Sequence, residues 1–466
     1  MNALLAILSL TVGLCVSFLD PTHGPAAVLL CAALAVVAGY VVSRVEGEGR
    51  FLMQLFVAGL LARVAVGFLI FIFQKQEFFG GDAYTYDILG YMLMKTWQGE
   101  TFYDKMLMQR DVGWGMSYLV AGVYTLLGRN MLAVQFVNAV MGAATAPVVF
   151  VCARHIFGNR QVSRVTGLFV AFYPSLVLWS AQGLKDGPLV FLLAVGMLAT
   201  LKLMESFRPA PAVALGLSLV GLLSLRFYIC YMMIAAVGLS FVIGLTRLTA
   251  QTFARQFAII VGLALAVTQF SGFDPASRKI DTFTLERIQV SRADLAKSAD
   301  SGFGKDVDVS TASGALTAIP LGMLYLLFAP FPWQLASLRQ SITLPEMLVW
   351  WASFPLLVTG LWFTLKHRMR KALPILIFTT MLTLAYSVFQ GNVGTAYRQR
   401  SQLLIFYFMF VAVGYELLRE RREDKRREIE LNRQQTALQA ARAAGRRAQQ
   451  RDWEKLADRL TEKVGF

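Results

Sequence analysis

At 466 residues the chain is long enough for two or three soluble domains, yet it is 56% hydrophobic and only 16% charged, where soluble domains are about 25% charged. With 34 Phe, 18 Met and just 3 His, it reads as a polytopic membrane protein, which excludes a soluble enzyme, a fibrous protein and a disordered chain. Of the formal charge of +15, a net +5 lies in 419–466, and most of the rest sits at the ends of apolar runs. That pattern orients a membrane protein and calls for no nucleic-acid partner.

The first apolar run, 3–19, is free of charge and lacks a basic flank, so it is expected to be a retained span and not a cleaved signal peptide. A crossing helix takes about 20 apolar residues. Spans are expected at 3–19, 25–43, 51–73, 131–152, 163–180, 188–204, 211–228, 229–246, 254–270, 344–365, 372–389 and 400–418. The runs 113–128 and 315–330 are shorter, or broken by Gly and Pro. Basic linkers containing Arg154, Arg160 and Arg164, then 247–255, 366–371 and the tail from Arg419, are assigned to the cytoplasm. Parity then requires that 113–128 and 315–330 do not cross, which gives twelve spans, both termini inside, and outer loops at 74–130 and 271–343. If both runs crossed, there would be fourteen spans, with Arg154, Arg160 and Arg164 outside. The expected fold is an all-α polytopic membrane bundle with helices lying along its outer face. Its parts are two N-terminal spans (1–50), a membrane domain (51–418) and a basic cytoplasmic tail (419–466). The tail is rich in Ala, Arg, Gln and Glu and reads as a charged helix touching anionic lipid. Its apolar positions are too sparse for a coiled-coil seam.

Cys15, Cys31, Cys152 and Cys230 all lie in apolar runs without C-x-x-C spacing and read as small buried hydrophobes. His23, His155 and His367 are scattered, which argues against a Ser-His-Asp site or a histidine metal centre. Arg63 lies mid-span, where a charge marks either a function or a buried partner. In the first outer loop, EFFGGDAYTYDILGY, Gly80 and Gly81 break the helix and Asp82 follows, with Tyr84 and Tyr86 close by. Asp82 reads equally as an N-cap or as a carboxylate that takes the proton of a sugar hydroxyl as general base, with the tyrosines on the sugar. Asp87, one and a half turns on, cannot share its face. Asp186, in QGLKDGP, stands at an outer mouth; Pro188 makes it a natural cap, and Lys185 could neutralise it or contact a phosphate. Arg226, Arg398 and Arg400 are outward cations. They snorkel to lipid headgroups, or they bind a phosphate or diphosphate through charge-assisted hydrogen bonds. The stretch 271–314 is polar and fits a loop folded over an outer cavity, or a plain exposed loop.

The motif GGDAYTY, the layout from YLVAGVYTLLG through ARHIFGNR to FYPSLVLWSAQGLKD, and FAPFPWQ followed by AYRQR resemble the GT-C glycosyltransferases. The likeness is to the branch of protein O-mannosyltransferases and aminoarabinose transferases, with their bacterial exopolysaccharide relatives, over about 50–418. Two extra spans come first, and no soluble outer domain is evident. The resemblance implies a polyprenyl-phosphate-linked sugar as donor and a periplasmic glycan, lipid or protein as acceptor. It implies a bacterial inner-membrane enzyme with its site facing the periplasm. On it Asp82 is the base, Asp186 orients the acceptor or holds a cation, and Lys185, Arg398 and Arg400 stabilise the departing phosphate. Relatives differ over metal: no cofactor is required, and Mg or Mn between the acids stays open. The alternatives are an O-antigen or exopolysaccharide polymerase or ligase, a transporter, and a non-catalytic component of a polysaccharide-export system.

Overall fold

The computed structural model describes residues 3–100, 114–243, 284–298, 301–335 and 338–463. Among them the chain is helical throughout, with one isolated antiparallel bridge, Gly302 to Asn392, and no strand. Two hairpin helices, α1 (Ala3–Leu19) and α2 (Gly24–Ser43), precede α3 (Gly49–Ile72). The short α4 (Gln76–Gly80) leads into α5 (Asp82–Trp97), against which α6 (Trp114–Leu127) packs. Then come α7 (Met131–Phe157), α8 (Arg160–Phe172), α9 (Pro174–Ser180), α10 (Asp186–Glu205), α11 (Pro209–Leu225) and α12 (Phe227–Ile243). The last set is α13 (Leu285–Ser298), α14 (Ala312–Phe328), α15 (Leu338–His367), α16 (Met369–Phe389) and α17 (Val393–Lys463). The chain divides into two compact units, Met1–Val413 and Gly414–Phe466; the second is helical and mostly exposed.

Seven helices are long and apolar enough to cross a membrane, or eight if α8 and α9, bent by 52°, form one span. The protein is therefore a multi-pass membrane protein, but the expected count of twelve is not established. The runs 3–19 and 211–228 fall on apolar helices of 17 residues, 163–180 is a broken helix, 229–243 lies in α12, and 244–246 and 254–270 lie outside the described residues. Of the run 113–128, the described residues Trp114–Leu127 form a helix of 14 residues, fewer than a simple crossing takes. The run 315–330 falls on one of 17, as long as α1 and α11, so length alone does not set it apart.

The central helix is α7, whose apolar window is 83% buried, because α2, α3, α8 and α10 all pack around it. The α8–α9 break has a clear cause. Pro174 has no N–H, so the carbonyl of Val170 loses its helical partner. Arg63 of α3 fills the gap: Nη2 donates to Val170 O at 3.3 Å, Nη1 to Ala171 O at 2.7 Å and to Gly59 O at 2.9 Å, and Nε to Ser180 Oγ at 2.8 Å. The mid-span charge is thus met by backbone carbonyls, and it holds the chain leading to Asp186. Close approach on both sides needs glycine: a Cβ on Gly142 of α7 would lie 2.4 Å from Ser180 Cβ, and one on Gly67 of α3 would lie 2.5 Å from Ala181 O.

At one end of the bundle Glu48 is buried and gathers three arginines. Arg160 donates to Oε1, Arg164 Nη2 lies 3.0 Å from Oε2, and Arg154 Nη1 stands 3.6 Å from Oε1. All four cysteines are free; Cys31, Cys152 and Cys230 are buried as expected, but Cys15 is exposed on α1.

Candidate active site

Asp82 begins α5 and Asp186 begins α10, yet neither carboxylate caps its helix. Both turn to Arg398, one and a half turns into α17. Arg398 Nη1 donates to Asp82 Oδ2 at 2.7 Å, Nε donates to Asp186 Oδ2 at 2.7 Å, and Nη2 lies 2.6 Å from the same oxygen. Two acids and one arginine from three distant parts of the chain therefore form one cluster. The acids differ in environment: the Asp82 side chain is 54% exposed and that of Asp186 only 1%. Asp82 accepts its hydrogen bond from Arg398 on Oδ2 and exposes its carboxylate to the cleft, whereas Asp186 is enclosed by its neighbours.

The cluster sits at a cleft of about 720 Å³, whose wall includes Asp82, Lys185, Arg226, Arg339, Arg398 and Trp179. Arg226 Nη1 donates to Tyr228 Oη at 2.9 Å, while its Nη2 stands 3.7 Å from Asp186 Oδ1. Tyr228 lies 3.4 Å from Tyr386, which donates to Gln402 at 2.6 Å, so polar side chains anchor the arginine. Burial, reinforced by the charge of Arg226, pushes the Lys185 ammonium down to about 8. The Arg398 guanidinium lies 5.7 Å over the Trp179 ring, in cation–π geometry.

The other expected residues are placed differently. Arg400 does not reach the cleft. It is 1% exposed and donates from Nε to Leu326 O at 2.6 Å, from Nη2 to Ala329 O, and from Nη1 to Met347 Sδ at 3.1 Å. The reason is helical: residues two apart point about 200° apart, so Arg398 faces the cleft and Arg400 closes the carbonyl end of α14. Tyr84 and Tyr86 do not line the cleft either. Tyr84 donates to Gln76 Oε1 at 3.3 Å. Tyr86 is buried, and burial together with the charges of Asp82 and Asp186 pushes its phenol up to about 12. Asp87 turns away from Asp82, as expected, and accepts hydrogen bonds from Tyr124 and Arg129.

Sequence reading missed Arg339, which lies 5.2 Å over the Phe78 ring at the cleft. The same signal that marked Arg398, a cation beside an apolar run in an expected outer region, applied to it. Trp179 and Tyr397 were missed as well. Among the described residues no three of His, Cys, Asp or Glu come together. The place between the two acids is taken by a guanidinium, so this donor set does not fit a divalent cation, and no step is assigned to one.

Residues 111–272 match the family described as dolichyl-phosphate-mannose-protein mannosyltransferase. The chain resembles the GT-C glycosyltransferases. The matched stretch includes Lys185, Asp186 and Arg226 but not Asp82 or Arg398. Among solved structures, the archaeal oligosaccharyltransferase AglB from Archaeoglobus fulgidus, in complex with an inhibitory peptide and a dolichol-phosphate, aligns with a TM-score of 0.43 and 13% identity. The alignment covers 78% of this chain and 50% of that one, so the chain spans half of AglB's length; a likeness this weak has no bearing on the site. No curated protein matches.

Proposed function

We propose that the protein is a membrane glycosyltransferase that moves a sugar from a polyprenyl-phosphate-linked donor to a hydroxyl of a periplasmic glycan, lipid or protein. The observation behind this reading is the Asp82–Arg398–Asp186 cluster at a cation-rich cleft. In the reaction the acceptor oxygen attacks the anomeric carbon, and the bond from that carbon to the phosphate oxygen breaks. Asp82 takes the acceptor proton as general base. The electron pair leaves on the lipid phosphate, whose charge Lys185, Arg398 and Arg226 offset. Asp186 holds Arg398 in place. On this reading the cleft opens on the periplasmic side of a bacterial inner membrane, and the membrane domain holds the whole site.

A lipid-diphosphate polymerase or ligase is favoured by one observation: Lys185 and Arg339 bring two further cations to the cleft without a carboxylate partner among the described residues. The deciding experiment incubates purified protein with labelled sugars on polyprenyl monophosphate and on polyprenyl diphosphate, each with a periplasmic extract as acceptor. Label transferred from the monophosphate donor supports the proposal. Transfer from the diphosphate donor alone selects the other reading.

A further inference from the structure

A second, much smaller chamber lies inside the bundle and shares Trp179 with the cleft. Arg63, Thr145, Trp179, Ser180, Asp186 and Ser401 are among the side chains that line it, and all are buried. The centre of a water-sized sphere has about 10 Å³ to move in, which is room for one water molecule and no larger ligand.

Three polar atoms on these side chains are buried and make no hydrogen bond among the described residues: Asp186 Oδ1, Trp179 Nε1 and Ser401 Oγ. Asp186 Oδ1 makes no hydrogen bond because Arg398 Nε donates to Oδ2 and Arg398 Nη2 also lies on that side, while Arg226 Nη2, 3.7 Å from Oδ1, pairs with it only as an ion. A buried anionic oxygen that accepts no hydrogen bond is costly, so the occupant of the chamber must donate to it. An indole N–H can only donate, a carboxylate oxygen only accepts, and a serine hydroxyl does both. A metal cation could not accept from the indole and would meet the charge of Arg63. An anion would face the carboxylate. One water has the donors and acceptors that these three atoms call for, and three hydrogen bonds are typical of a buried water.

We propose that a single water molecule is a built-in part of this site, and that through it Ser401 positions Asp186. The water ties Asp186 Oδ1 to Trp179 and Ser401. Trp179 also supports Arg398 on its ring face, and Arg398 holds Asp82. Ser401, which touches neither substrate nor cleft, thereby fixes the carboxylate on which the Asp82–Arg398 geometry depends. The water site stands on the chamber's size and its buried atoms without a hydrogen bond; its effect on turnover rests on the transferase reading.

The test has two independent readouts. A density map at a resolution that shows ordered water should contain a single peak within about 2.7–3.2 Å of Asp186 Oδ1, Trp179 Nε1 and Ser401 Oγ. In transfer assays, Ser401→Ala should lower kcat by about three- to tenfold with donor KM unchanged, the effect of one lost hydrogen bond on alignment. Ser401→Val should lower kcat at least as far as Ala, and Ser401→Thr, which has the shape of Val but keeps the hydroxyl, should restore most of it. A thermal melt in detergent separates these effects from misfolding. If Ser401→Val does not fold, the contrast of Ala with Thr decides. An empty chamber in the map overturns the water. A water peak with wild-type kcat in Ser401→Ala overturns the positioning role. A water peak in a protein that transfers no sugar from any donor supports the water site and counts only against the transferase reading.

Discussion

Arg398 changes how single substitutions at the site are to be read. Because it pairs with both acids, Arg398→Ala removes a phosphate contact and loosens Asp82 and Asp186 together, so it cannot separate donor binding from base chemistry. Lys185 can. Its ammonium is a cation below about 8 and is neutral above it. Donor KM should therefore be flat at lower pH and rise as pH passes through about 8. Lys185→Arg should move that rise to higher pH, and Lys185→Met should raise KM throughout and abolish the step. A KM–pH profile of the three proteins checks this. Arg400→Ala belongs to a different class. It leaves the carbonyls of Leu326 and Ala329 without their donor, so it should cost about 2–4 kcal/mol of stability with donor KM near wild type, measured by thermal melts beside the transfer assay. Asp82, Asp186 and Arg398 were legible in the sequence because charges at the rim of apolar runs need a reason. Their pairing was not, since it joins residues 316 and 212 positions apart. The misplacement of Arg400 follows from treating neighbours in sequence as neighbours in space, which a helix forbids.

At the scale of elements, the break between α8 and α9 aims the chain that carries Trp179 and Asp186. Arg63 makes that break tolerable by taking the Val170 carbonyl that Pro174 leaves without a donor, and the Ala171 carbonyl beside it. Arg63→Leu should destabilise the bundle by about 2–5 kcal/mol, since buried carbonyls and Ser180 lose their donor at once. Unfolding in detergent by a denaturant titration measures it. The reading of 163–180 as a span did not foresee the break, although Pro174 stood within the run. A proline kink is visible in sequence; what satisfies it is a side chain from another helix, and that is not. The same limit applies to α6. Its shortness was legible from the Gly-rich apolar run, but its packing on α5 through Tyr124 and Asp87 was not.

For the whole molecule, composition alone established a helical, multi-pass membrane protein. The number of crossings was less legible, because apolar helices of 17 residues fall between a full span and an interfacial helix. Sidedness has its own test. On a background without native cysteines, Ser301→Cys at the cleft should be labelled by an impermeant thiol reagent from outside intact cells, and Asn159→Cys, beside the arginines that gather on Glu48, only after the membrane is opened. Labelling in the reverse order would invert the orientation. The central claim, that sugar transfer runs through the Asp82–Arg398–Asp186 cluster, is tested most directly by the transfer rate of purified Asp82→Asn with a labelled polyprenyl-phosphate sugar. The amide keeps the size of the carboxylate but cannot take a proton at neutral pH. The rate should fall by about 10²–10⁴-fold while expression and the melting midpoint stay near wild type. A well-folded Asp82→Asn enzyme that transfers sugar at the wild-type rate would contradict the account.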